Sequence, residues 1–365
     1  MADPLIPTAV LHRWVIDLWR SAGSNERESA LAADHLVAAN LSGHDSHGVL
    51  RISRYVAQMD EGRLVPSARP VLVHARGPVA VFDGMGSFGH YATARALDWA
   101  MERAREDGLA VASLRRPTHI GRLGEYTERA AEAGLVAVVT IGMAGDGLSS
   151  AIPFGGTTRA LGTNPWSMGV PGARGRSVVF DAATTVVAEG KVQFARDRGA
   201  QLPPGCIQAA DGSPSRDPAD YYNGGALLPL GGEVAGHKGS GLALISALFG
   251  GLAQAGDDGS PGAAPPPTST TGVFVLVVNP AWFGDPEAYL AVVADTVDWV
   301  KQSRPAPGVE EVLVAGEPEE RSRKERGRLG VPLPDGTWER LEAVAARFGV
   351  QMPETSPVEP GFSGS

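Results

Sequence analysis

One cysteine, Cys206, is all the chain has for sulfur cross-linking, and a single thiol cannot close an internal disulfide. Nothing in its sulfur chemistry therefore ties it to an oxidising compartment. No segment holds the ~18 consecutive apolar residues of a membrane-spanning helix. The opening MADPLIPTAVLHRW lacks the cationic stretch and apolar core of a secretory leader. Basic charge is short as well: 32 Lys and Arg face 41 Asp and Glu, and no local run of basic residues makes up the deficit. A net charge of −9 excludes general affinity for nucleic acid or an anionic membrane. These absences predict a cytoplasmic protein that binds neither. What is present is ordinary for a globular chain, at 43% hydrophobic and 20% charged residues, and 365 residues leave room for two domains.

Apolar residues recur at three- and four-residue spacing over residues 7 to 62, and Leu11, Trp14, Val15 and Leu18 mark one such face. Asn25 followed by Glu28 predicts a capping box that opens a helix running to about Leu41. GHDSHG interrupts, and VLRISRYVAQMDEG restores the pattern. From residue 71 the period changes. PVLVHARGPVAVFD predicts two short strands around a turn. A helix at about 90–106, the strand LAVASL, a helix at about 122–133 and the strand VAVVTI follow, so the middle of the chain is α/β. Residues 191–235, rich in Gly and Pro, read as ordered loops with short strands, and GLALISALFGGLAQA as the helix after them. Residues 255–270 read as a mobile low-complexity loop, VFVLVVNP as a buried strand and AYLAVVADTVDWVKQ as an amphipathic helix. The last ten residues read as a loose tail.

Gly84, Gly86 and Gly89 spell the G-x-G-x-x-G of a dinucleotide cradle, between a strand and a helix. The strand LAVASL ends at Arg115 and Arg116, which could select a 2′-phosphate. Two features oppose that reading. Asp83 sets a carboxylate where a pyrophosphate would lie, and the turn ARGP implies an antiparallel hairpin rather than a βαβ unit. A structural turn is the favoured reading.

The densest polar cluster is GHDSHGVLR. A helix beginning near His47 would align His47, Arg51 and Tyr55 on one face. Arg binds carboxylates through its fork and His exchanges protons near neutral pH, so the stripe suits a carboxylate substrate. The alternative is a capped helix start with a solvated His. His44, His47, Asp45 and His119 admit a zinc reading, but H-x-x-H without a second pair is nonspecific, and no metal site is expected. His119 in THIG follows a strand end, where α/β sites form. GHKGSGL places Lys238 among small residues just before a predicted helix, as a phosphate site requires. Asp181 ends the strand SVVF, where an acid could orient a His or bind a ribose.

GHDSHGVLR, THIG, LGTNP, DAATTVVAEGK, LPPGC, DGSPSRDP, LLPLGG and GHKGSGLA occur in this order. Together they resemble the malate/L-lactate dehydrogenase family, the nicotinamide-dependent 2-hydroxyacid oxidoreductases that lack a Rossmann domain. THIGRLGEYTERAAEAGL is most similar to its hydroxycarboxylate dehydrogenase B branch. The resemblance spans roughly residues 8 to 350.

It implies an α/β (α+β) fold with a largely antiparallel nucleotide-binding sheet and a helical domain built from both chain ends. The implied division is 1–70 and 296–354 for the helical domain, 71–295 for the nucleotide- and substrate-binding domain, and 355–365 for a flexible tail. It also implies a homodimer that uses NAD or NADP on a small 2-oxo or 2-hydroxy acid. His47 or His119 would be the acid/base group, with Asp181 orienting the network. Ser46, Arg51 and Tyr55 would meet the substrate. Thr163, Asn164, Asp181, Ala182, Ala183, His237, Lys238, Gly316 and Glu317 would meet the cofactor. Three features depart from the family: Arg-Pro-Thr before His119, Ser240 in place of an aromatic, and the Pro- and Gly-rich 255–270 segment. They leave the substrate open. A cyclic imine acid such as piperideine-2-carboxylate is one alternative, and a catalytically idle homologue kept for binding is another.

Overall fold

A computed structural model describes residues 4–145, 147–255 and 270–355. The expected mobile loop and loose tail lie, apart from their edge residues, outside the described residues. The chain opens with strand β1 (Leu5–Ile6) and helices α1 (Thr8–Ser21), α2 (Glu26–Leu41) and α3 (Ile52–Asp60). Then come β2 (Val71–Arg76), β3 (Val79–Asp83), α4 (Gly89–Asp107), β4 (Leu109–Arg115), α5 (Gly124–Glu132), β5 (Val136–Ala144), β6 (Trp166–Val170) and β7 (Val178–Ala182). An excursion holds α6 (Glu189–Asp197), β8 (Ile207–Gln208), β9 (Pro214–Ser215), α7 (Pro218–Tyr222) and β10 (Ala226–Leu227). The rest comprises α8 (Gly232–Gly251), β11 (Thr270–Val278), α9 (Pro286–Lys301), α10 (Glu317–Leu329), β12 (Val331–Pro332) and α11 (Asp335–Phe348).

The main sheet has seven strands in the order β2-β3-β4-β11-β5-β6-β7. Every neighbouring pair is antiparallel except β3 and β4. Strand β11 fills the centre because its period-two apolar pattern serves both faces. Val273, Val275 and Val277 are wholly buried, within a cluster that includes Ala96, Leu97 and Ala100 of α4. On the alternate face Phe274 stacks on Phe249 of α8 at 4.7 Å.

A second core joins both chain ends. Leu11, Val15, Leu18, Trp19, Leu36 and Ile52 pack with Val331, Leu341 and Val344. Strands β1 and β12 pair antiparallel, Ile6 opposite Val331. Each such large side chain contributes roughly 1.5–3 kcal/mol of burial, so the N-terminal helices depend on the last helix for their core. The Asn25 carboxamide oxygen accepts the Glu28 amide at 3.0 Å, as the capping signal requires, and α2 ends at Leu41.

Four expectations need correction. The β2–β3 hairpin exists, but β3 also pairs in parallel with β4 through α4, so the glycine motif does sit in a βαβ unit. The helix expected from His47 begins at Ile52, after two 3-10 turns. The helix expected after GHKGSG begins at Gly232, so that motif lies inside α8. Helix α6 occupies a stretch read as loop. In addition, the boundary expected at residue 295 falls within α9, a continuous helix with no buried residue.

Candidate active site

The GHDSHGVLR segment is held open by polar ties rather than by helical bonding. Asn40 of α2 donates from its amide to Asp45 at 2.6 Å and accepts the Val49 N–H at 2.9 Å. Gly48 lies so close to that carboxamide that a Cβ would overlap it. Asp45 also receives a two-pronged bond from Arg326 of α10, at 2.6 and 3.0 Å, and His44 meets Glu319 of α10 at 3.0 Å. The C-terminal part of the chain thus clamps the loop that presents His47 and Arg51. Because Asp45 and His44 are spent on α10, the zinc grouping is not assembled. Among the described residues no cluster of three or more His, Cys, Asp or Glu has metal-binding geometry.

His47 and His119 come together from separate segments, their rings stacked at 5.7 Å and 26°. Ser46 Oγ lies 3.0 Å from His47 Nδ1, and Arg51 donates from Nε to Ser46 O at 2.5 Å. Arg51 has no carboxylate partner among the described residues, so the outer edge of its fork is not neutralised. His119 Nδ1 accepts the Gly121 N–H at 3.2 Å and lies 2.7 Å from the Tyr55 hydroxyl. An amide can only donate, so Nδ1 carries the lone pair, the Tyr55 hydroxyl donates to it, and the His119 proton sits on Nε2. Tyr55 is 1% exposed, so its hydroxyl supports His119 from behind rather than facing the cleft. Thr118 holds the loop by accepting the Gly89 N–H at 2.7 Å and donating to Ser87 O at 2.8 Å.

Burial, then the charge of Arg51, pulls His47 down to about 3. The same two causes, in the same order, hold His119 well below the usual imidazole range. Both rings are neutral at neutral pH beside a half-buried cation. Arg51, with smaller contributions from Arg122 and Arg54, makes the site electropositive and sets it to receive an anion.

The glycine motif does structural work. Asp83, 1% exposed, binds Arg115 at 2.8 Å and Arg116 at 2.9 Å and accepts the Met85 N–H at 2.9 Å. Burial opposes its ionisation, but Arg116, the Met85 amide and Arg115 hold its carboxyl below the usual range. A Cβ on Gly84 would lie 2.7 Å from Arg116 O, and one on Gly89 would overlap the carbonyls of Thr118 and His119. The glycines let the His119 loop lie against the turn, and the two arginines answer Asp83 rather than a phosphate.

Backbone bonds link several segments that carry the remaining candidates. The loop after β7 is tied to Thr163, whose carbonyl accepts the Thr184 N–H at 2.9 Å, and to the run before α8, where Leu230 donates to Thr184 O at 2.8 Å. Gly316 packs over β7, and Val179 donates to Ala315 O at 3.3 Å. Thr163, Ala182, Ala183 and Gly316 are half-buried, while His237 and Lys238 are exposed on α8. The positive end of α8 is at Gly232, nearly two turns before Lys238, so an anion cradle would be centred on Gly231–Val234.

Three candidates are engaged elsewhere. Asn164 is fully buried; its oxygen accepts the Met143 N–H at 2.9 Å and its nitrogen donates to Met143 O at 3.1 Å and Ala243 O at 2.7 Å. Glu317 caps Val314 and binds Lys301 through both oxygens at 2.6 Å. Asp181 accepts the Gly124 N–H at 2.6 Å and faces Arg122 at 3.7 Å, with no hydrogen bond to either His47 or His119 among the described residues. Burial raises its carboxyl above the usual range, against the pull of Arg122.

The sequence profile of the malate/L-lactate dehydrogenase family matches residues 6–342. The chain belongs to this family. It is 33% identical over 348 residues to hydroxycarboxylate dehydrogenase B of Escherichia coli (strain K12), covering 94% of each chain. It is 32% identical over 282 residues to a Δ(1)-pyrroline-2-carboxylate/Δ(1)-piperideine-2-carboxylate reductase of Pseudomonas putida, covering 75% of this chain and 80% of that one. The crystal structure of malate dehydrogenase from Entamoeba histolytica superposes with a TM-score of 0.87 at 25% identity, over 96% of this chain and 99% of the other.

This malate/L-lactate dehydrogenase family member carries site-forming residues that pattern reading did not single out. His90 on α4 is fully buried beside Tyr55, at 3.4 Å from its hydroxyl. Arg122, 4% exposed, lies between Asp181, Glu125 and Glu128 at 3.6–4.0 Å. Gly190 at the start of α6 packs on Ser46, where a Cβ would come within 2.6 Å. For His90 a signal existed: it shares the stripe of Ala94, Leu97 and Met101, where an apolar residue belongs.

Proposed function

We propose that this protein catalyses reversible NAD(P)H-dependent reduction of a 2-oxo acid to a 2-hydroxy acid, as a cytoplasmic homodimer. The observation that carries this reading is Arg51, a half-buried guanidinium with no carboxylate partner among the described residues, set beside two neutral imidazoles. A planar fork holds a substrate carboxylate through parallel hydrogen bonds and so fixes the adjoining C2 carbon. The Ala182–Ala183 loop, Thr163, the start of α8 with His237 and Lys238, and Gly316 would hold the cofactor. Its nicotinamide supplies or accepts the hydride when bound. Linked segments with the exposed Lys238 on the neighbouring helix fit an elongated anionic cofactor.

The protein's own work is on the proton. His119, with its proton on Nε2, donates a hydrogen bond to the developing alkoxide. His47 carries the transferred proton. A carboxylate on Arg51 cancels the second-largest influence holding His47 neutral and raises its affinity for that proton. In the oxidative direction neutral His47 accepts the hydroxyl proton, with Ser46 steadying its other nitrogen. Asp181 acts at a distance by fixing the start of α5, which follows the His119 loop.

The homodimer accounts for two apolar helix faces that the protomer leaves open. Leu244 and Leu248 on α8 are 49% and 59% exposed, and Trp299 on α9 is 75% exposed. The boundary of the C-terminal helical part is placed in the 302–316 segment, after α9. The pyrroline/piperideine-carboxylate reductase relative supports a second reading, reduction of a cyclic imine acid. That reaction uses the same carboxylate clamp and puts the proton on nitrogen.

The test is nicotinamide absorbance with both cofactors over a panel of 2-oxo acids and cyclic imine acids. Oxidation of NADH or NADPH with a 2-oxo acid is the expected result. Turnover of cyclic imines alone moves the assignment to the second reading. No turnover with any member leaves the idle homologue.

A further inference from the structure

Behind the catalytic pair lies a third imidazole whose burial packing alone does not explain. His90 is fully buried in the α4 stripe, against His35 at 5.3 Å and Tyr55 at 5.7 Å between ring centroids. Its Nδ1 has no hydrogen-bond partner among the described residues. An apolar ring at this position would fill the space with no orphaned nitrogen, so retaining a His here carries a cost that packing does not repay. Its Nε2, by contrast, has a partner in the Tyr55 hydroxyl at 3.4 Å.

The direction of that contact follows from the other end of the chain of bonds. The Gly121 amide makes His119 Nδ1 an acceptor, so Tyr55 spends its one proton on Nδ1 at 2.7 Å. The phenol oxygen can then only accept, and His90 donates to it from Nε2. The bonds run one way, from His90 to Tyr55 to His119. Gly121 keeps the path short. Its φ is +73°, and a Cβ there would lie 2.8 Å from the His90 ring, so the loop bearing His119 rests directly on that ring.

We propose that His90 is a positioning residue for the 2-oxo acid reduction, acting through Tyr55 to hold His119 in the tautomer that presents Nε2–H to the substrate oxygen. The inference rests on the functional reading above. Burial pulls His90 down to about 3, so it stays neutral, and its part is to orient a dipole rather than to deliver a proton. If Tyr55 lost this donor, its hydroxyl could turn and accept; the longer Gly121 bond would then be left to favour a bare Nδ1 without Tyr55, and a fraction of His119 would carry its proton on Nδ1. Nε2 would then meet the alkoxide with a lone pair.

The test compares His90→Phe, which keeps the ring and removes the donor, with His90→Gln, which keeps an N–H near the same place. His90→Phe is expected to lower kcat about 5- to 20-fold while leaving the cofactor KM within twofold, and His90→Gln to restore most of the loss. In a Tyr55→Phe background the His90→Phe change should have no further effect, because the link is already cut. Equal damage from Gln and Phe, a parental kcat in a folded His90→Phe protein, or undiminished loss in the Tyr55→Phe background would overturn the proposal.

A second readout needs no turnover. Side-chain 15N NMR of His119, assigned with His119→Gln, should show a bare Nδ1 in the parent and in His90→Gln, and a tautomer mixture in His90→Phe. A protonated Nδ1 in the parent refutes the proposal. Should no substrate be reduced, the functional reading fails, and this spectrum alone decides the role of His90.

Discussion

Replacing Arg51 by Met removes the charged fork and keeps the length and apolar bulk of the stem. Two charge-assisted bonds to a substrate carboxylate at about 1.5–3 kcal/mol each give a loss of about 3–6 kcal/mol. Partial exposure of the site favours the lower half, so kcat/KM should fall about 150- to 2,000-fold. Arg51→Lys retains the charge without the fork and should lose about 10- to 100-fold. The lost Nε bond to Ser46 O adds about 1 kcal/mol of instability, which a thermal melt reads separately. Taking away the positive charge also makes an imidazolium at His47 less unfavourable, so His47 should titrate higher in Arg51→Met than in the parent. The assay is steady-state reduction of a 2-oxo acid and of its uncharged amide. The parent should strongly prefer the acid, the Met variant should not, and cofactor affinity should stay within twofold. Equal losses toward acid and amide, or a Met variant within threefold of the parent, would refute the carboxylate clamp.

Other changes separate scaffold from site. Gly86→Ala, at a φ of +71°, should lower the melting temperature and leave cofactor affinity unchanged by fluorescence titration, whereas Lys238→Ala should weaken it about 3- to 10-fold. Asn164→Ala strips partners from the Met143 N–H and the Met143 and Ala243 carbonyls; about 3–5 kcal/mol of stability should go in denaturant titrations, ahead of any specific loss of cofactor binding. Glu125 is pushed up to about 7 from 4.5 by burial, with Arg122 opposing and Glu128 adding. Its stabilising protonated form is complete below 4.5 and is lost as pH rises through 7, a cost of at most about 3 kcal/mol. Glu125→Gln should therefore match the parent near pH 4.5 and exceed it in stability at pH 8. The proposed homodimer predicts that the parent sediments as a dimer and Trp299→Glu as a monomer; a monomeric parent would refute the dimer, and an unchanged dimer would refute α9 as its interface.

Local signals read well where one physical term dominates. Asn25 and Glu28 marked the start of α2 because a capping box leaves little else for that spacing to do, and the apolar run VFVLVVNP marked a buried strand. GHKGSGL misled because its glycines lower helix propensity, yet close packing of Gly236 and Gly239 on Pro229 and Leu230 is what holds the first turns of α8 in place. The β3–α4–β4 crossover was missed because the ARGP hairpin accounts for only one edge of β3. Within the site, no periodicity links His47 to His119. Their stacking depends on α10 clamping Asp45 and on the close turn at Gly89, contacts between residues far apart in sequence. The zinc reading and the family resemblance both grouped the two histidines beforehand, and neither included His90.

The most direct measurement follows the hydride itself. The purified protein is given reduced nicotinamide cofactor deuterated at C4 on the transferred face and a 2-oxo acid it turns over, and the product is read by mass spectrometry and proton NMR. The expected product is the 2-hydroxy acid with one deuterium at C2, and its yield should collapse in Arg51→Met. Product without deuterium at C2, or with label that follows the solvent instead, would contradict direct hydride transfer at this site.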